Sequence, residues 1–323
     1  MPSCRASCPR RSFEPVLETV WVERLDEAAS REVRALLLAA RAVDGRPEVS
    51  EGGPLPFGDG LHLLGRADGQ LVGYAQLDTT GDSFGRQVAE LIVDPGHRRR
   101  GFGTELTRTL IAKADRKLRI WSHGDHPAAA RIAEREGLAR VRELLIMHVY
   151  VEGADWPEPT LPQGVSLRTF VTGQDEQEVI DVNARAFEWH PEQGSLTLEE
   201  LRATENEDWF DPAGFFLACA PAGAGGTDTA DGRVIGFHWT KVHPADPDSF
   251  GGEPVGEVYV VGVDPAAHGG GLGRALTLAG LRHLRERGLR QVILYVESDN
   301  APALAVYSRL GFTRYAVDVQ YAA

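Results

Sequence analysis

The chain has 323 residues, about twice the usual domain size, so two domains are expected, each able to bury a core without disulfides or metal. Hydrophobic residues make up 42% and charged residues 25%, an ordinary globular balance, while 34 Lys+Arg against 47 Asp+Glu leave a formal charge of −13. An acidic chain whose longest basic run is Arg98-Arg99-Arg100 is a poor partner for nucleic acid or an anionic membrane, and no apolar stretch approaches the ~20 residues that cross a bilayer.

Residues 1–15 form a leader rich in Pro, Arg and Ser with no apolar core, so it does not read as a secretory signal and is expected to be disordered. Cys4 and Cys8 lie in it, and with Cys219 they make an odd number without framework spacing, which points to a reducing, cytoplasmic setting. A helix is predicted over 26–42, where Leu25, Ala29, Val33, Leu36 and Ala40 recur at helical spacing. Strands are predicted at 61–65, 71–78 and 88–93, the last running into a Gly-rich turn and a helix from Thr104. Pro157, Pro159 and Pro162 then mark an extended linker over 155–163, dividing a domain at 16–154 from one at 164–323.

The second half repeats the plan. A helix is predicted over 175–187, and a second starts at the capping box Thr197-Leu198-Glu199-Glu200. Strands follow at 215–220 and 234–241, joined by a Gly/Ala-rich connector at 221–232, and another at 257–263 enters a second Gly-rich turn. The helix from Arg274 carries Leu276, Gly280 and Leu284 in line and stops at Gly288; 292–296 is apolar on both faces and reads as a central strand. Val93-Asp94-Pro95 with Gly101-Phe102-Gly103 matches Val263-Asp264-Pro265 with Gly271-Leu272-Gly273 at an offset of 170, and Gly137-Leu138 matches Gly311-Phe312 at 174. This is a tandem duplication of one α+β unit with a mixed sheet.

Each turn presents backbone N–H groups at the positive end of a helix, a ready cradle for a pyrophosphate. Neither copy has the third glycine or the ribose-binding acid of a dinucleotide fingerprint, and neither has a Walker lysine. A plain tight turn is the alternative, but two copies in register favour phosphate. Arg99 and Arg100 add charge to the first cradle, whereas His268, Gly269 and Gly270 leave the second with less, which predicts weaker binding there.

The two turns, together with Asn300, Tyr307 and Gly311-Phe312 at their spacing, resemble the GNAT-type acetyltransferases over both halves. Longer strings are similar to the mycothiol synthase family, a two-domain branch of that fold: 236–244, 256–260, 294–300, Ala186-Phe187 and His190-Pro191-Glu192-Gln193. The resemblance implies two tandem GNAT-type domains, each a mixed β-sheet flanked by helices, and acetyl-CoA as co-substrate without a metal. It implies acetyl transfer to the cysteine amine of Cys-GlcN-Ins (desacetylmycothiol). On this resemblance acetyl-CoA is held by Leu91, Ile92, Val93, Arg99, Arg100, Gly101, Phe102, Gly103 and Thr104 in the first domain. In the second it is held by Val261, Gly262, Val263, His268, Gly269, Gly270, Gly271, Leu272, Gly273, Arg274, Asn300, Ala301, Pro302, Ala303, Leu304 and Ala305.

Amine acetylation needs a base and a proton for the leaving thiolate. The resemblance gives these roles to Glu257 and Tyr307, and the substrate to Glu51, Glu192, Lys241, Glu257 and Tyr295. His190, His238 and His243 fit no metal-ligand spacing. The duplication supplies an internal control: Tyr307 aligns with Ala133, Asn300 with His126, Tyr295 with Trp121, Glu297 with His123 and Glu257 with Gln87, so the first domain is expected to bind acetyl-CoA without catalysing. Acetylation of another amine or a peptide N-terminus, and a non-enzymatic acetyl-CoA-binding module, remain the alternatives. Because the chain already pairs two domains, a monomer is expected.

Overall fold

The computed structural model describes residues 16–45, 55, 60–82, 85–115, 117–190, 193–221, 232–246 and 250–323. The expected leader and most of the 221–232 connector lie outside the described residues. The chain divides into two compact units. One takes its described residues from Met1–Gly81, Arg86–Arg140 and Tyr321–Ala323; the other takes them from Asp82–Gly85 and Val141–Gln320.

The first unit runs β1 (Glu18–Val22), α1 (Glu27–Asp44), β2 (Leu61–Ala67), β3 (Gln70–Asp78), β4 (Gln87–Val93), α2 (Phe102–Lys113), β5 (Leu118–Ser122) and α3 (Pro127–Glu136). Its strands stand in the order β1-β2-β3-β4-β5, antiparallel except for the parallel β4–β5 pair. Asp26 caps α1 by accepting from the Ala29 N–H, so the helix occupies the predicted span and Val33, Leu36 and Leu37 bury against Leu64, Leu71 and Tyr74. Leu106 of α2 sits over Gly73, the neighbour of Tyr74, so the two helices cover opposite faces of the sheet.

The second unit contains most of β6 (Ala139–Tyr150), then β7 (Ser166–Thr169), α4 (Glu176–Ala186), α5 (Leu198–Thr204), β8 (Phe215–Cys219), β9 (Val234–His243), β10 (Val255–Val263), α6 (Leu272–Glu286), β11 (Gln291–Glu297), α7 (Ala301–Arg309) and β12 (Thr313–Ala322). Its strand order is β12-β6-β11-β10-β9-β8-β7, with β11 central as expected from its apolar run. The capping box at Thr197 and Glu200 is formed. The sequence repeat and the compact units divide at different places: β6 closes the first repeat, yet its residues from Val141 onward pair with β11 inside the second unit. The Pro-rich segment is extended and irregular, and Trp156 anchors it, 3% exposed in the core with Nε1–H donating to the Leu310 carbonyl at 3.0 Å.

Helix α6 lies so close to β9 that only glycine fits at position 280. A Cβ there would fall 2.1 Å from Cε1 of His238, whose Nδ1–H donates to the Leu276 carbonyl at 2.7 Å. Gly280→Ala should lower the unfolding free energy by about 1–3 kcal/mol, read as a shift of the urea midpoint. His238 is fully buried, and burial lowers its pKa from 6.5 to about 4. The unfolded chain therefore binds the extra proton between those values, and stability is lost as pH falls from 6.5 toward 4. That loss amounts to about 3 kcal/mol from this group. Urea titrations at pH 7 and pH 4.5 should show it in the wild type and a smaller one in His238→Asn.

Candidate active site

The two Gly-rich turns are built alike. In each, the strand ends in an aspartate whose Oδ1 accepts from a backbone N–H two residues on: Asp94 from Gly96 at 2.9 Å, and Asp264 from Ala266 at 2.9 Å. A short 3-10 turn follows, then a glycine with left-handed backbone that serves as the helix N-cap, Gly101 at φ +88° and Gly271 at φ +81°. Neither glycine offers a capping side chain, so the first-turn N–H groups of α2 and α6 face outward uncapped. The helices accordingly start at Phe102 and Leu272, two residues before the predicted starts.

The arginine run divides its work. Arg98 turns inward, with Nη1 and Nη2 on the two Asp44 oxygens at 2.9 and 2.5 Å and Nε on the Val93 carbonyl at 3.2 Å. Arg99 and Arg100 stay exposed beside the turn. In the second copy His268 takes Arg98's place, Nε2–H donating to the Val263 carbonyl at 3.2 Å. Gly269 and Gly270 have φ of +93° and +56°, where the first copy holds Arg99 at φ +64°. The second turn thus keeps the left-handed path without strain but without the two guanidinium groups.

The strand leading into the second cradle differs from its counterpart. β3 and β4 pair in unbroken register from Gly73–Val93 to Asp78–Val88. β9 and β10 do not: Val258 pairs with Thr240 and Val260 with Trp239, so Tyr259 is the extra residue of a β-bulge. Strand β10 also pairs with β11 only over Gly256–Val258 among the described residues, after which the two strands part. The edge of β10 from Val260 to Val263 is left without a strand partner on that side, beside the cradle, where the Val263 carbonyl accepts from His268. β4 likewise parts from β5 after Ala89, which frees the edge of Leu91, Ile92 and Val93.

Glu257 stands before the bulge, 5% exposed, directly across from Lys241 on β9 and Ile293 on β11. Tyr295, two residues past Ile293, shares that face and is 38% exposed. The site therefore brings Glu257, Lys241 and Tyr295 onto one face. Glu257 is buried although Tyr259, two residues on, is 38% exposed. The Glu257 Oε2 lies 2.5 Å from His243 Nε2. Burial, and after it the Glu257 carboxylate, raises the Tyr259 hydroxyl above its ordinary range. The Lys241 ammonium lies 4.3 Å from the Trp209 ring centre and 5.2 Å from that of Tyr259, a cation–π seat.

Tyr307 is on the other face. It packs with Val261, Ala303 and Leu304 against the cluster that includes Val258, Leu294 and Val296, its ring 5.8 Å from Phe312. Burial pushes its hydroxyl up to about 12. Asn300 caps α7, Oδ1 accepting from the Ala303 N–H at 3.2 Å, with Ala301, Pro302, Ala303, Leu304 and Ala305 forming the exposed or half-buried start of the helix. Its counterpart His126 caps α3 in the same way, accepting from Ala128 at 3.1 Å, which matches the 174 offset; Ala133 there is 2% exposed. Glu51 and Glu192 lie outside the described residues. Among the described residues no group of three His, Cys, Asp or Glu could hold a metal ion.

Three features had no mark in the sequence: the bulge at Tyr259, the His243–Glu257 contact, and a buried ion pair beside Tyr295. In the last, Arg142 Nε donates to Glu297 Oε1 at 2.7 Å, with side chains 9% and 10% exposed. Arg142 Nη2 lies 3.3 Å from His190 Nε2, and His190 Nδ1 accepts from the Gln193 N–H at 3.0 Å.

A parting strand, an uncapped helix and a buried carboxylate define an acyl-CoA-type transferase architecture, and known proteins carry the same plan. The acetyltransferase (GNAT) family model matches residues 32–138 and 182–312. The chain is 64% identical over 309 residues to the mycothiol acetyltransferase of Saccharomonospora viridis, covering 94% of this chain and 98% of that protein. It is 63% identical to that of Amycolatopsis mediterranei, covering 93% and 97%. Among solved structures, a GCN5-related N-acetyltransferase from Sphaerobacter thermophilus superposes with a TM-score of 0.66 at 23% identity, covering 94% of each chain. A tandem GNAT protein from the clavulanic acid biosynthesis pathway gives 0.64 at 22%, covering 95% of this chain and 98% of that one. The chain belongs to the GNAT acetyltransferase family and, within it, to the mycothiol acetyltransferases. Its fold is the expected pair of tandem GNAT-type domains.

Arg142→Leu removes the near partner of a buried carboxylate and should cost about 3 kcal/mol of stability in urea unfolding. Glu297→Gln, which keeps a hydrogen-bonding group, should cost less.

Proposed function

We propose that this acetyltransferase moves acetyl from acetyl-CoA to the cysteine amine of Cys-GlcN-Ins, giving mycothiol and CoA, with the chemistry in the second unit. The observation that carries this is a buried Glu257 one turn of strand ahead of the bulge, on the strand that runs into the α6 cradle. The uncapped N–H groups of α6 hold the pyrophosphate together with His268, Gly269, Gly270, Gly271, Leu272, Gly273 and Arg274. The free edge of β10 pairs with the pantetheine arm, and the start of α7 from Asn300 to Ala305 flanks it. A bulge leaves a backbone group out of the ladder, and at Tyr259 such a group polarises the thioester carbonyl.

Glu257 takes the amine proton as nitrogen attacks the carbonyl carbon, and the C–S bond breaks with its electron pair on sulfur. An α-amine has pKa ~8, so a carboxylate base suffices near neutrality. Tyr307, held protonated by burial, donates to the leaving thiolate. Lys241 and Tyr295 line the substrate side next to Glu257, and Glu51 and Glu192 are further contacts on the strength of the family's pattern. The first unit holds a second acetyl-CoA through Arg99 and Arg100 without catalysing, since Gln87 and Ala133 stand where the base and acid would be. No metal takes part, and the chain works as a cytoplasmic monomer.

Purified chain and acetyl-CoA, offered Cys-GlcN-Ins, GlcN-Ins, a simple aminoglycoside and a short peptide, should N-acetylate Cys-GlcN-Ins alone when products are read by mass spectrometry. Product on the other amines would overturn the substrate assignment. Glu257→Gln should lower kcat by about 10²–10⁴ and Tyr307→Phe by less, with acetyl-CoA affinity kept. Equilibrium titration should resolve two acetyl-CoA sites, the weaker one abolished by Gly271→Trp.

A further inference from the structure

His243 lies at the end of β9, two residues past Lys241, and nothing in the acetyl-transfer chemistry above uses it. Its Nε2 is 2.5 Å from Oε2 of Glu257, the shortest polar contact that carboxylate makes, and its own side chain is 36% exposed while that of Glu257 is 7% exposed. The contact is made through Oε2, so an imidazole that reaches solvent holds one side of the buried carboxylate.

Given Glu257 as the base proposed above, we infer that His243 is a positioning residue for the acetyl transfer: its Nε2–H holds Oε2, aims Oε1 at the substrate amine, and sets with its own charge how strong a base Glu257 is. A neutral imidazole orients the carboxylate and leaves it basic. An imidazolium binds the carboxylate more tightly and lowers its appetite for a proton. The step balances without another reactant. The N–C bond forms, the amine proton passes to Oε1, the C–S bond breaks, and the sulfur takes its proton from Tyr307. The imidazole keeps its Nε2–H throughout and exchanges its other proton with solvent.

The contact resembles a carboxylate–imidazole pair of the triad type with the roles exchanged: the carboxylate is again the more buried member, but here it is the base and the imidazole orients it. Other titratable groups surround the pair. Lys241 lies directly across the ladder from Glu257, Tyr259 is on the same strand, Tyr295 and Glu297 are on β11, His148 is on β6 across from Ile293, and Asp246 follows the end of β9. His148 is a second imidazole near the pair, so a pH effect is assigned to His243 only if substitution at 243 removes it.

The test is steady-state kinetics of the full chain with acetyl-CoA and Cys-GlcN-Ins across pH 5.5 to 9, on wild type, His243→Leu and His243→Gln. The leucine removes the donor; the glutamine returns an amide N–H to nearly the same place but cannot titrate. His243→Leu should lower kcat about 10- to 100-fold with KM for acetyl-CoA within about twofold of wild type. His243→Gln should recover most of kcat at pH 8 and lose the acid limb expected of the wild-type profile. Wild-type kcat and an unchanged profile in His243→Leu would overturn the role. So would equal losses in both variants accompanied by a matching rise in KM for acetyl-CoA, the mark of disturbed packing. If the wild type itself forms no product from Cys-GlcN-Ins, the substrate assignment falls and this role falls with it; product from the wild type with an indifferent His243→Leu sinks the role alone.

Discussion

Everything at the candidate site depends on two strands that stop pairing. A parallel pair normally continues until a strand ends, because every buried backbone N–H and C=O needs a partner. β10 and β11 instead pair over three residues and separate, leaving the last four residues of β10 with one open edge that ends at an uncapped helix. An extended ligand with amide groups and a pyrophosphate at one end satisfies both deficits at once. The parting also joins the two faces of the sheet. Glu257 lies on one face and Tyr307 packs on the other, and the gap between the strands is where chemistry needing both can occur.

The duplication separates what both units share from what the second unit alone carries. Both units keep the aspartate that turns the chain after the strand, the left-handed glycine at the helix start, the early parting of the parallel strands and a side-chain cap on the last helix. The second unit alone has a bulge in the strand entering its cradle, a buried glutamate before it and a tyrosine on the final helix; the first has a regular ladder, Gln87 and Ala133. Arg98 and His268 illustrate the same division on a smaller scale. Each bonds the carbonyl five residues back, one with a guanidinium and the other with an imidazole, so the position serves the turn whatever its charge.

Around the carboxylate, the second unit builds a supported polar face. Lys241 is steered by two aromatic rings, Glu257 by His243, and Glu297 by Arg142 in a pair that also reaches the His190 turn. Buried charges cost desolvation unless they are paired at short range, and Arg142 with Glu297 is such a pair. The Arg142 contribution is notable for its origin: it comes from β6, the strand that closes the first sequence repeat but pairs within the second unit. Swapping that strand supplies the second unit with a cation that its own repeat does not encode at that place.

Much of this was legible in the chain alone. Local rules sufficed for the helix at Asp26, the capping box at Thr197, the central strand at 292–296, and the two cradles, because caps, periodicity and glycines act over a few residues. The family resemblance pointed to Glu257 and Tyr307, and the duplication set Gln87 and Ala133 at their places in the first copy. Long-range pairing decided the rest. That β6 joins the other unit's sheet, that Tyr259 is an extra residue against its partner strand, that His243 meets Glu257 and that Arg142 meets Glu297 are all facts of register between distant segments. Register is set by the whole sheet at once, so no window of sequence contains it.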